Sequence, residues 1–503
     1  MPGERSVDDP ASLFRLGNTL AERGQTEAAI EAFQRCLALA PDRAAAHFNL
    51  GNALRQTGRP VDAIDAFLAC LRLVPHFGAA YVNLAESLRR LGLLEQAREM
   101  AVLAVRHLPE QPEAMICLAN VLHDLAEYAA SAELYAQALA REPDHAGALT
   151  SLGNSLHALG RLDEALAVHD RAVAAAPYDP DFHFNRAATR LIAGDFAGGW
   201  EDYQWRRQRS QCKPRGFGEP WQGEDITGRT ILLHSDQGLG DTLQFVRYAP
   251  IVAARGCRVV LEVQPSLVRL LRQVPGAVQV VPRGEVLPPF DVHCALMSLP
   301  RAFKTTLATI PAPRSYIYAD PAATAAWKAR IPETKGLRIG LVWAGGSHRD
   351  DAGANVIDRL RSLPLAKLAP LGDLPNLHLF SLQKHDPEHA CTPPSGLTLT
   401  DLMADVDDFT DTAALVANLD LVITVDTSVA HLAGSMGRPI WLLLRYNGCW
   451  RWLHDREDSP WYPSMRIYRQ PGPHDWPAVI ARVRQDLNGL VRAPTLGLAT
   501  YPA

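Results

Sequence analysis

The chain has no apolar stretch long enough for a membrane span, no C-x-x-C among its eight cysteines and no long basic run. The first lack leaves no candidate membrane-spanning helix in the sequence. The second argues against a zinc site or a disulfide framework: Cys36, Cys70, Cys117, Cys212, Cys257, Cys294, Cys391 and Cys449 are scattered, and free thiols are expected. The third, with a net charge of -5, argues against a dedicated nucleic-acid or bilayer-surface protein, so any polyanion contact must be local. The opening "MPGERSVDDPASLF" carries no charged-then-apolar targeting pattern, and a cytoplasmic location is the expectation. What is present is ample: 503 residues, 47% of them hydrophobic, suffice for about three domains with cores of their own.

The first of these is periodic. Leu16, Leu50, Leu84, Leu118 and Leu152 stand 34 residues apart, each followed by a small residue (Gly17, Gly51, Ala85, Ala119, Gly153). Ala29, Ala63 and Ala97 share the frame, as do Phe33, Phe67 and Tyr135, and Pro41, Pro75, Pro109, Pro143 and Pro177 close each unit. Small residues let the two helices of a unit approach closely, and each proline stops the second helix before the next unit begins. The pattern resembles the tetratricopeptide repeat. Five clear units and a sixth, degenerate one, "GDFAGGWEDYQWRR", occupy residues 10–210, with Trp200, Tyr203 and Trp205 expected to cap the stack and seat it on the next domain. Cys36 and Cys70 take a frame position otherwise filled by Ala104, Ala138 and Ala172, which makes them core spacers.

Two further positions repeat without a packing reason. Asn18, Asn52, Asn120 and Asn154 share one, and Asn49, Asn83 and Asn185 share another three residues earlier, hence on the same helix face. Asparagine is a mediocre helix former, so its recurrence inside helices asks for a cause. A carboxamide donates and accepts at once, and a row of them can bond an extended peptide backbone whatever its side chains. The row resembles the asparagine ladder of protein O-GlcNAc transferase; bonding between neighbouring repeats is the alternative. Arg55, Arg89, His123 and His157 stand beside it, so a mildly basic groove is expected.

After a Pro/Gly-rich linker, 211–228, the pattern changes to alternating strands and helices. "TILLHS", "CRVVLEVQ", "VQVVP" and "FDVHCALMSLP" read as strands of a domain over 229–320; "LRIGLVWAGG", "LHLFSLQ", "LDLVITVD" and "PIWLLL" read as strands of another over 336–492. The fold class is therefore α + α/β. In the first domain "SDQGLGD" puts Gly238, Gly240 and Asp241 just after a buried-type strand, where α/β proteins place ligands; taken in isolation the turn favours a helix-capping role for Asp241 over a chemical one. In the second, Asp426, Thr427 and Ser428 sit where a strand turns into a helix, suiting a helix cap or an anion such as a diphosphate.

Taken together, "VDTSVAHLAGSMGRPIWLLL", "GLVWAGGSHRD", "RLRSLPL", "FSLQKH" and "DSPWYPSMRIYRQ" resemble bacterial fusions of tetratricopeptide repeats to a heptosyltransferase-like domain of glycosyltransferase family 9. The resemblance implies a superhelix followed by a GT-B pair of Rossmann-like domains, and sugar transfer from a nucleotide-sugar co-substrate without a resident cofactor or catalytic metal. It further implies Asp241 as catalytic base and Asp426, Thr427, Ser428, His431, Gln383, Lys384, Arg361 and Ser362 as donor-binding residues. Asn18, Asn49, Asn52, Asn83, Asn120 and Asn154 would hold an acceptor protein or peptide. The pattern departs in three places: Asp236 replaces a glutamate, Val356 and Ile357 separate Asn355 from Asp358, and Cys449 replaces an acid before W-R-W. His234 is a substitute base, Trp450, Trp452 and Trp461 are core, lid or stacking residues, and Asp405-Val-Asp407 is a D-x-D outside any strand end. A non-enzymatic repeat adaptor with a degenerate GT-B sensor is the alternative, and a nucleotide-sugar epimerase ranks behind it.

Overall fold

The computed structural model describes residues 9–210, 212, 215–346, 352–384 and 392–492, without the side chains of 352–355. The Ser347–Asp350 end of "GLVWAGGSHRD", the side chain of Asn355 and Cys391 lie outside it. The chain divides into two compact units between Phe182 and His183.

The first unit consists of antiparallel helix pairs, from Pro10–Glu22 with Thr26–Leu39 to Ala146–Ala158 with Leu162–Ala175. Each second helix ends two residues before its frame proline, at Leu39, Leu73, His107, Arg141 and Ala175. The turn inside most units needs a left-handed residue, supplied by Gly24, Gly58, Gly92 and Gly160; Ala126 occupies that place at φ 63° in the fourth unit. Cys36 and Cys70 are wholly buried spacers.

In three units glycine follows the frame leucine opposite a ring of the second helix; in the fourth the frame sets Ala119 opposite Tyr135. A Cβ on Gly17, Gly51 or Gly153 would stand 2.5–2.6 Å from Phe33, Phe67 or His169. In the third unit the frame pairs Ala85 with Ala101, and no ring has to be accommodated. Gly51→Ala should therefore destabilise the repeats by about 1–3 kcal/mol, because the clash with buried Phe67 outweighs the gain in helix propensity. Thermal unfolding checks this, and a stabilised variant would show that Phe67 can yield.

The second unit begins inside the sixth helix pair, Pro180–Ile192 and Phe196–Tyr203, which ends in a 3₁₀ turn, Gln204–Gln208. Trp200 donates from its indole to the Thr305 carbonyl at 2.8 Å, and Trp205 stacks on His183 at 4.0 Å. This pair thus packs as part of the second unit.

Two parallel sheets complete the second unit. β1 (Thr230–His234), β2 (Arg258–Val263), β3 (Ala277–Pro282) and β4 (Val292–Ala295) lie in the order β3-β2-β1-β4. β5 (Leu337–Val342), β6 (Leu377–Ser381), β7 (Leu399–Asp401), β8 (Leu421–Val425), β9 (Ile440–Leu444) and β10 (Met465–Arg469) lie in the order β7-β6-β5-β8-β9-β10. Winding that runs one way from β5 and the other way from β8 is the doubly wound arrangement, which leaves a crevice at the carboxyl ends of those two strands. Continuous burial of β8 and β9 explains their unbroken apolar sequences. The helix Trp476–Arg492 covers one face through Val479, Ile480, Val483 and Leu487.

Two segments differ in detail from their sequence patterns. "FDVHCALMSLP" is a four-residue strand that turns into a 3₁₀ turn and the short helix Leu299–Ala302, and "DTLQFVRYAPIVAARG" is two helices, Leu239–Phe245 and Ala249–Ala253, joined by a 3₁₀ turn. Pro250, without an N–H and with its ring against the preceding turn, suits the start of the second piece.

Candidate functional site

The carboxyl end of β1 carries the glycine turn. Asp241 lies in the first turn of the helix Leu239–Phe245, and its Oδ2 reaches back to accept the Gly238 N–H at 2.9 Å. Its Oδ1 accepts from Arg451, a residue that no sequence motif singles out. Burial raises the Asp241 carboxyl above the usual range; Arg451 and the Gly238 N–H oppose this, and Asp236 and Asp426 add to it. Asp236 is itself bound by Arg206, whose Nε and Nη2 approach one of its oxygens at 3.0 and 2.6 Å.

The other side of the site is the start of the helix Ser428–Ser435, after β8. Thr427 is its N-cap residue, yet its hydroxyl lies 3.2 Å from that of Thr424 and makes no side-chain cap, so the first backbone N–H groups are not taken up by it. His431, one turn along, is buried; its Nδ1 lies 2.8 Å from the Tyr462 hydroxyl and its ring stacks on Trp452 at 5.4 Å. Burial, then Arg451 and Arg247, hold His431 neutral, far below its ordinary pKa. A Cβ on Gly240 would stand 2.7 Å from the His431 ring, so glycine lets the two helix starts meet.

Around this junction Arg361 donates to the Asp426 carbonyl at 3.1 Å and to the Asp358 carboxylate, while Ser362 accepts the Gly345 N–H at 3.0 Å. Gln383 accepts the N–H groups of Trp343 and Ala344 at 3.2 and 2.9 Å. Arg361, Ser362 and Gln383 therefore shape the loops after β5 and β8 through backbone bonds. Lys384 is exposed. Arg359 is exposed too, beyond buried Asp358.

Other candidates fall elsewhere. His234 is buried in the β1 face, 3.2 Å from His293, and burial followed by the neighbouring imidazole pushes it down to about 3. A base that weak does not substitute for Asp241. Trp450, Trp452 and Trp461 are buried among aromatic neighbours and are core residues. Asp405 pairs with Arg330, and the Asp407 side chain is 90% exposed. Among the described residues no group of three or more His, Cys, Asp or Glu could hold a metal ion.

In the first three repeats, the asparagines bond to one another. Asn49 donates to Asn18 and Asn83 to Asn52, each at 2.7 Å, so each pair links adjacent units. Asn120 accepts from the Tyr135 hydroxyl at 2.5 Å, and Asn154 has no side-chain partner among the described residues. All six are half-buried. The neighbouring row is less basic than its composition implied: Arg89 is bonded to Glu86 and Asp124 at 2.7–2.9 Å, and burial holds His123 below its usual pKa.

Comparison with known proteins agrees with the helix pairs. Residues 14–76 and 117–180 match one tetratricopeptide-repeat profile and residues 78–101 another. The N-terminal region is a tetratricopeptide-repeat array. The chain is 28% identical over 359 residues to Protein FlbA of Caulobacter vibrioides; the match covers 64% of this chain and 58% of FlbA, so the chain spans just over half of that relative's length. Solved structures similar to it include a thermophilic tetratricopeptide-repeat protein of Thermus thermophilus, TTC0263 (27% identity, 36% of this chain, 99% of that chain, TM-score 0.31). YrrB, described as a tetratricopeptide-repeat protein with an unusual peptide-binding site, is another (20% identity, 36% of this chain, 92% of that chain, TM-score 0.30). Repeats of this kind point to a protein-interaction role. Among the described residues no helix is long and apolar enough to cross a membrane.

Proposed function

We propose that the chain is a GT-B glycosyltransferase that moves a sugar from a nucleotide-sugar donor to a protein acceptor held by the repeats. The observation that carries this reading is the approach of Asp241, on the glycine turn after β1, to the helix start at Thr427–Ser428 through the Gly240–His431 contact. A half-buried acid beside a helix start that can receive an anion is what transfer from a diphosphate needs.

In that reaction Asp241 takes the proton from the acceptor hydroxyl as the new bond to the anomeric carbon forms. The bond from that carbon to the diphosphate breaks, and its electron pair leaves with the nucleoside diphosphate. The uncapped N–H groups and hydroxyls at Thr427 and Ser428 receive the developing charge, with exposed Lys384 as the mobile cation. Burial, by raising its proton affinity, makes Asp241 a stronger base than an exposed aspartate.

Thr427→Ala with Ser428→Ala should weaken nucleoside-diphosphate binding about thirtyfold, the loss of two hydrogen bonds of ~1 kcal/mol each. Unchanged calorimetric titrations would remove the donor site from this helix start. The non-enzymatic adaptor reading draws on one observation, that both Asp241 oxygens are already engaged in the resting chain. Incubation with a panel of nucleotide sugars separates the two: hydrolysis or transfer supports the enzyme, while binding without turnover of any donor supports the sensor.

A further inference from the structure

Arg451 reaches Asp241 across 210 residues of chain. It sits in the 3₁₀ turn Trp450–Trp452 after β9, is 9% exposed, and is gripped on every side. Besides Asp241, its Nε donates to Gln244 at 2.8 Å, its Nη1 to the Cys449 sulfur at 3.0 Å, and its guanidinium lies 4.4 Å from the Trp450 ring centroid. Asp241 and Gln244 are three residues apart and share one face of their helix. One planar fork thus holds two side chains of that helix at once, a match a lysine cannot reproduce.

We infer that Arg451 is a positioning residue for the reaction proposed above: it fixes the direction of the half-buried Asp241 carboxylate and favours its ionised form. A guanidinium does not lose its proton in proteins, so Arg451 cannot itself exchange one. It acts on Asp241 through geometry and field. Geometrically, Arg451 holds one carboxylate oxygen and the Gly238 N–H the other, leaving a single rotamer. Electrostatically, the groups facing Asp241 divide by sign. Burial, Asp236 from the β1 loop and Asp426 from the β8 loop favour the protonated acid, whereas Arg451 and the Gly238 N–H favour the carboxylate. Arg206 from the 3₁₀ turn Gln204–Gln208 already pairs with Asp236, His431 beside Gly240 is neutral, Tyr203 is an uncharged phenol facing both Arg451 and Asp241, and Cys449 lies against Arg451. Arg451 is therefore the one cation bonded to Asp241 among the described residues.

Without Arg451 the proton affinity of Asp241 rises, so the carboxylate is populated only at higher pH, and a base that must be ionised loses the acid end of its working range. The test uses the full chain labelled with ¹³C at aspartate, the Asp241 signal being assigned by its loss in Asp241→Asn. In Arg451→Met its titration midpoint should move up by about one to three pH units, the effect of removing an adjacent opposite charge. Arg451→Lys, which also serves if the methionine variant does not fold, should return part of that displacement. In transfer assays the acid limb of kcat/KM should move up with the midpoint, while KM for the donor changes less than about threefold. A midpoint that stays in place in both variants overturns the inference, as does a displaced midpoint with an unmoved transfer profile. A displaced midpoint in a chain that turns over no nucleotide sugar supports the Arg451–Asp241 coupling and refutes the glycosyltransferase reading, so the two failures differ.

Discussion

Asparagine at position 241 should lower sugar transfer by about two to four orders of magnitude, the range for loss of a general base, while nucleoside-diphosphate binding stays near that of the unmodified chain. The site's geometry makes the experiment more demanding than an isosteric swap. Asp241 accepts from Gly238 through one oxygen and from Arg451 through the other. Asparagine has one acceptor, so one of these partners loses its bond. A further cost in stability of about 1–3 kcal/mol is expected from that alone. Diphosphate titration and thermal unfolding must therefore accompany the kinetics: a transfer defect with intact donor binding and a folded chain belongs to the chemistry. Full transfer by this variant would return Asp241 to capping its helix and neutralising Arg451.

How much is legible in the sequence depends on the range of the interactions. The repeats can be read because one packing solution recurs every 34 residues and a small residue follows the frame leucine in each of the five clear units, opposite a ring at Gly17, Gly51 and Gly153. The strands buried on both faces, β5, β8 and β9, are equally plain because burial makes them continuously apolar. The short β7 and the later β10, at the two edges of their sheet, carry no such mark and escape a reading by pattern.

At the site, the residues on local turns are legible and the residues that reach them are not. The glycine turn and D-T-S announce themselves through strand, turn and helix in sequence. Arg451 and Arg206 contact Asp241 and Asp236 from 210 and 30 residues away, and no periodicity connects them. Their only local sign is an arginine set among tryptophans, in "WRW" and "QWRR", where a cation beside large apolar rings has to be paired once buried. Asp236, a departure from the expected glutamate, has a structural partner in Arg206. Cys449, standing where an acid is expected, places a sulfur on Arg451.

The asparagine row carries the other large effect. Replacing Asn52, Asn120 and Asn154 with alanine should lower affinity for a protein acceptor roughly a hundredfold, at ~1 kcal/mol for each lost contact, without changing donor hydrolysis. The three positions do not carry equal weight as controls. Asn52 accepts from Asn83 and Asn120 from Tyr135, so their loss also loosens the array. Asn154 has no such partner among the described residues, and Asn154→Ala alone should weaken acceptor binding about fivefold while leaving the unfolding transition in place. If only the variants at Asn52 and Asn120 weaken binding, and in proportion to their loss of stability, the row exists to join one repeat to the next. The decisive truncation starts at His183 and not in the linker, because Trp200 and Arg206 pack within the second unit and hold Thr305 and Asp236. A 183–503 fragment that hydrolyses donor normally but modifies protein acceptor far more slowly than the full chain assigns acceptor capture to the repeats. Equal modification by that fragment would leave the repeats a role in localisation or assembly and remove the ladder from the reaction.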